Sequence, residues 1–176
     1  MIEELYLLVH PYYDKRNYNY EEEELERIWE ESILANSKKK NTFGIMYFLG
    51  IGKQIGQQYN LRFTTRDISE KERGFGEFFR SNFGEERTKF VMANNLCFPE
   101  IHEDERIISS INPEKVIVTS RGIWANLCVV NAIEGICEFY NIPEENCSVI
   151  DSESVYTFDD PALELLFSQN CSYIHN

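Results

Sequence analysis

The chain has 176 residues and 20.7 kDa, and its 17 Lys and Arg stand against 30 Asp and Glu, a formal charge of −13. An apolar content of 43% with 14% aromatic residues supplies a real core, so the expectation is one compact domain over residues 1–176 rather than a disordered chain. The scattered cations offer no basic surface, which argues against nucleic acid and anionic membranes as partners.

The opening MIEELYLLVHPYYD has two glutamates before a short apolar run, which fits neither a signal peptide nor a membrane span. Five cysteines, Cys97, Cys128, Cys137, Cys147 and Cys171, form no CxxC pair and accompany only three histidines. That pattern is neither a disulfide framework nor a zinc module, so a reducing cytoplasm is expected, with most of the five acting as small buried hydrophobes.

Leu5 to Val9 reads as a buried strand closed by Pro11. A helix from Tyr20 to about Asn36 follows, with Glu21 to Glu24 at its positive end and Leu25, Ile28, Trp29 and Ile33 as its apolar stripe. Phe43 to Leu49 is a second buried strand, and a short helix is expected from Gly52 to Tyr59. Residues 60–86 show no clear period and read as loops with one helical turn around Gly76 to Asn82.

Arg87 to Ala93 reads as a strand, Glu103 to Ser110 as a short helix, and Lys115 to Thr119 as a strand ending at Ser120-Arg121-Gly122. A long helix then runs to Tyr140, burying Leu127, Val130, Ala132, Ile133 and Ile136. Asn146 to Asp151, Pro161 to Gln169 and Cys171 to Ile174 read as strand, helix and strand. This alternation predicts an α/β chain: a three-layer α/β/α, Rossmann-like domain with a mostly parallel six-stranded sheet.

Ligands of such sheets bind beyond the carboxyl ends of the strands. There, the Ser120-Arg121-Gly122 corner sets Cys128 in the first turns of the long helix, where the dipole favours thiolate and unpaired backbone N–H groups form an oxyanion hole. Position alone leaves two readings, a nucleophile or a buried cysteine beside Leu127 and Val129. His10 follows the first strand and Lys89 lies within the third. Gly50-Ile51-Gly52-Lys53 lacks the spacer and hydroxyl of a phosphate loop and reads as a turn. The first strand is also followed by no glycine-rich turn, which disfavours a doubly wound nucleotide binder.

The segment VIVTSRGIWANLCVVNAIEGI, Val116 to Ile136, resembles the signature of the isochorismatase-like cysteine hydrolases, a superfamily that includes nicotinamidases and N-carbamoylsarcosine amidohydrolases. Gly122, Cys128, Val129 and Ala132 match that signature, and the order of elements agrees from Leu5 onward. The resemblance implies an Asp after the first strand, a Lys on the third and Cys128 as the catalytic set; Lys89 is similar in order and spacing to the family lysine. It also implies oligomers, so a homo-oligomer is expected.

The chain departs from the family at the first strand, where LLVHPYYD has His10 in the place of the catalytic Asp and Asp14 at a second acidic position. The stretch YFLGIGK also lacks the family's metal-binding Asp-x-His, so neither metal nor cofactor is expected. The implied activity is hydrolysis of a small-molecule amide or related C–N bond through a Cys128 thioester. Ala125 and Cys128 would form the oxyanion hole, His10 would transfer the proton, Lys89 would supply charge, and Asp14, Arg121 and Trp124 would contact substrate. The alternative is an inactive relative that serves as a binding or oligomeric scaffold.

Overall fold

The computed structural model describes residues 1–9, 11, 22–49, 70–93, 104–123, 128–155 and 174–175. The strands are β1 (Glu4–Val9), β2 (Thr42–Leu49), β3 (Thr88–Ala93), β4 (Ile117–Ile123), β5 (Cys147–Val155) and β6 (Ile174–His175). The α-helices are α1 (Glu22–Ser37), α2 (Glu70–Phe83), α3 (Glu105–Ile108) and α4 (Val130–Tyr140). The six strands form one sheet in the order β3-β2-β1-β4-β5-β6, and every named pairing is parallel.

Burial of the sheet on both faces explains why the strands read as continuous apolar runs. In β1, Leu5, Leu7 and Val9 join one core with α3 and α4, while Tyr6 and Leu8 join a second with α1 and α2. Helices on both faces give the three layers expected. The strand order reverses between β1 and β4, and the carboxyl ends of strands at such a reversal are where open α/β sheets bind their ligands.

Three expectations are corrected. Residues 70–83, expected as loop with one helical turn, form a full helix, α2. Its apolar stripe is aromatic, with Phe75, Phe79 and Phe83 four residues apart and buried against Tyr6, Met46 and Phe48. Gly74 and Gly76 interrupt the sequence pattern and lower helix propensity, which hides the element. Gly76 is nonetheless placed for packing, since a Cβ there would stand 3.1 Å from Phe48 Cζ.

The second correction concerns β4, which runs on through Ser120, Arg121 and Gly122 to Ile123, so these residues are strand and not corner. The third concerns Cys137 and Cys147, both buried as expected but joined in a disulfide between the end of α4 and the start of β5. Ten residues apart in sequence, they meet because the chain turns back at Asn141, which takes the left-handed conformation at φ 54°. The helices expected at 52–59 and 161–169, and Cys97 and Cys171, lie outside the described residues. Among the described residues, no helix is long and apolar enough to cross a membrane.

Candidate active site

Cys128 and Val129 form a wide, π-helical turn that leads into α4 at the carboxyl edge of the sheet. Cys128 is 1% exposed and lies outside the disulfide, in the core that α4 shares with Leu7, Val9 and Tyr47. Buried thiols of this kind resist ionisation unless charge or N–H groups offset the apolar surroundings. Val130, Ala132, Ile133 and Ile136 are buried as expected and hold α4 against the sheet. Beneath the turn, the Ser120 hydroxyl is fully buried and lies 3.5 Å from the Val129 carbonyl oxygen, a contact at the long limit of a hydrogen bond.

The two strands at this edge leave no room for a side chain at Gly122. Gly122 has φ +130°, and a Cβ built on it would fall onto the Val9 carbonyl oxygen and within 2.9 Å of Val9 N. Only glycine supplies both the conformation and the clearance. Val9 pairs with Gly122 on one side and with Tyr47 on the other, and Pro11, two residues past Val9, is buried. The end of β1, where His10 follows, is thereby pressed against the strand that feeds Cys128.

Lys89 lies one residue into β3, in register with Ile45, which pairs with Leu7 and through it with Ser120. It shares the α4 face of the sheet with Cys128, three strands away from β4, roughly 14 Å at ordinary strand spacing. Its Nζ is 3.8 Å from Asp104 Oδ2, and both side chains are nearly buried, at 11% and 10% exposure. Burial holds the Lys89 ammonium below the usual lysine range, with Asp104 opposing that shift and Arg106 adding to it. Asp104 is also held by Arg106 at 2.8 and 3.0 Å and caps α3 by accepting from Arg106 N.

Arg121, expected to face substrate, is 3% exposed and belongs to the opposite layer, among the residues under α1. Its guanidinium stacks on the Tyr6 ring at 3.8 Å and donates to Thr119 Oγ1 at 3.1 Å. Its Nε is 2.7 Å from Glu153 Oε2, off the direction a hydrogen bond needs, so the contact is ionic. A bulge in β5 makes this possible: Ser120 pairs with Val149 but Gly122 pairs with Ser154, and the extra residues turn Glu153 toward α1. There the Glu153 carboxylate accepts from Ser32 Oγ at 2.5 Å, and its carbonyl accepts from Trp29 Nε1 at 2.9 Å. Sequence reading missed this network, because only the bulge brings Glu153 beside Arg121.

His10, Asp14, Trp124 and Ala125 lie outside the described residues. Among the described residues, no group of three His, Cys, Asp or Glu is arranged to hold a metal.

The fold resembles that of a known amidase. The N-carbamoylsarcosine amidase from Thermoplasma acidophilum superposes over 99% of this chain and 96% of its own, with a TM-score of 0.57 and 9% sequence identity. At that identity the likeness shows a shared fold. No protein-family model matches the chain, and no curated protein matches its sequence.

Proposed function

We propose that the chain is a cysteine hydrolase of the isochorismatase-like kind, acting on a small amide or related C–N bond. The observation that carries the reading is Cys128 at the head of α4, beyond the carboxyl end of β4 at the strand-order reversal, in a fold shared with an N-carbamoylsarcosine amidase. The likeness supports the fold, and the segment around Gly122, Cys128, Val129 and Ala132 supports the family.

In this reading His10 takes the thiol proton and the Cys128 thiolate attacks the substrate carbonyl carbon. The tetrahedral oxyanion rests on the N–H groups of Ala125 and Cys128. Collapse breaks the C–N bond, and the proton held on His10 leaves with the amine. Water activated by the neutral His10 then hydrolyses the thioester and restores the thiol. Lys89 supplies positive potential from the same sheet face, and direct contact with substrate requires its ion pair with Asp104 to open. Asp14 and Trp124 line the substrate side. The protein is a single domain that assembles as a homo-oligomer.

The competing reading, an inactive binding or scaffold relative, draws support from His10 in the place of the family Asp and from the engagement of Lys89 with Asp104. Release of ammonia or amine from a panel of small amides and ureides separates the two. The hydrolase reading expects turnover that falls at least about a hundredfold in Cys128→Ser. Equal background rates for the native protein and the variant across the panel favour the scaffold.

A further inference from the structure

At the amino-terminal ends of β1 and β2, the edge of the sheet remote from Cys128, lies a cavity of about 360 Å³. Lys40, Arg87 and Arg106 contribute to its wall, with Asn41, Thr42 and Ser110 between them and Glu86 as the one acidic residue among the described lining residues. In a chain of net charge −13, this concentration of cations needs an explanation.

Structural demand accounts for only part of it. Arg106 is neutralised by Asp104, to which it donates at 2.8 and 3.0 Å. Arg87 has no such partner: its Nη1 donates to the carbonyls of Lys39, Lys40 and Thr42 and its Nη2 to that of Ser37. Carbonyl oxygens hold the guanidinium in place but carry no full charge, and among the described residues no carboxylate lies within ion-pair distance of it. Lys40 likewise has no ion-pair partner among the described residues, whereas its neighbour Lys39 is taken by Glu4 at 3.0 Å.

We infer that this cavity binds a small oxyanion, the phosphate or carboxylate group of a small molecule. Arg87 is a pre-positioned cation, held before the ligand arrives, so little ordering entropy is lost on binding. Lys40, exposed at the turn before β2, closes on the ligand as a mobile point charge, and Ser110 offers a hydroxyl donor, while the buried Thr42 hydroxyl is taken by Glu4 at 3.4 Å. Because the site lies at the edge opposite Cys128, it does not depend on how Cys128 is read.

Backbone-amide NMR shifts, followed while inorganic phosphate or acetate is added at constant ionic strength with chloride as the balancing anion, test the inference. Saturable shifts at Asn41, Thr42 and Ser110 are expected, with phosphate alone, acetate alone or both identifying the favoured group. Lys40→Glu, at an exposed turn position that the fold does not need, should weaken that binding about tenfold or more. Shifts that are absent or strictly linear in both titrations overturn the inference. So does saturable binding that Lys40→Glu leaves unchanged, since the anion then sits elsewhere.

Discussion

Gly122 of β4 packs so tightly on Val9 of β1 that a single added carbon would meet the Val9 carbonyl oxygen. That contact lies at the carboxyl edge of the sheet where the order of strands reverses, between the end of β1 and the strand that leads to Cys128. Backbone in this conformation, at φ +130°, is strained for any residue with a side chain. Gly122→Ala should therefore lower stability by about 3 kcal/mol or more, read as a shift in the urea midpoint with little change in slope. A variant as stable as the native protein would show that the two strands part without cost.

The Arg121–Glu153 pair gives a second prediction. Removing one partner strands the other in a largely buried site, so Glu153→Ala should cost about 3 kcal/mol, while replacing both with apolar residues of similar volume should recover most of the loss. Urea denaturation of the two single variants and the double variant measures the coupling. Simple additivity would contradict the pairing.

Tyr6 reports on the same layer through its titration. Burial is the main cause that pushes its phenol up to about 12, against the smaller opposing effects of Arg121 and the Ser32 hydrogen bond. A raised acid pKa means the neutral form is favoured in the folded state. This contribution to stability is intact below about pH 10, the unfolded value, and is lost as pH rises from there through about 12. Phenolate absorbance should show that native Tyr6 ionises well after the exposed tyrosines, and Tyr6→Phe should remove that late step.

Asp104 behaves in the opposite sense. Hydrogen bonds from Arg106, with the charges of Arg106 and Lys89, hold its carboxyl below the usual carboxylate range despite partial burial. Its cap on α3 is therefore present above about pH 4, the unfolded value, and fades as pH falls through the lower folded value. Asp104→Ala should cost about 1 kcal/mol near neutrality, the ordinary value of a helix cap, and the difference from the native protein should shrink in acid. Chemical denaturation at several pH values measures both; a difference that grows in acid would refute the assignment.

The strand–helix alternation was legible because each strand buried on both faces reads as an apolar run, as Leu5 to Val9 and Phe43 to Leu49 do. The buried face of α4 was legible from its period for the same reason. What escaped depended on contacts distant in sequence. Gly74 and Gly76 masked α2, whose aromatic stripe is stable only against the sheet. The extension of β4 through Gly122 depends on Val9, which lies 113 positions earlier by numbering (122 − 9). Arg121 read as a substrate contact because its neighbours pointed to the strand edge, and only the β5 bulge that presents Glu153 reveals its burial. The pairing of Cys137 with Cys147 follows from the turn at Asn141, which no cysteine count foretells. Cys128 was singled out from its segment, and the structure sets it in the turn that leads into α4.

The ionisation of Cys128 tests the central claim most directly. Iodoacetamide alkylation of the native protein, followed at Cys128 by mass spectrometry from about pH 5 to about pH 9, reports its thiolate fraction. A catalytic Cys128 should react faster than a simple thiol at neutral pH, with a midpoint below the unperturbed value of about 8.5, and His10→Ala should move that midpoint upward. A Cys128 that reacts no faster than a simple thiol, with a midpoint at or above that value, would contradict the hydrolase reading.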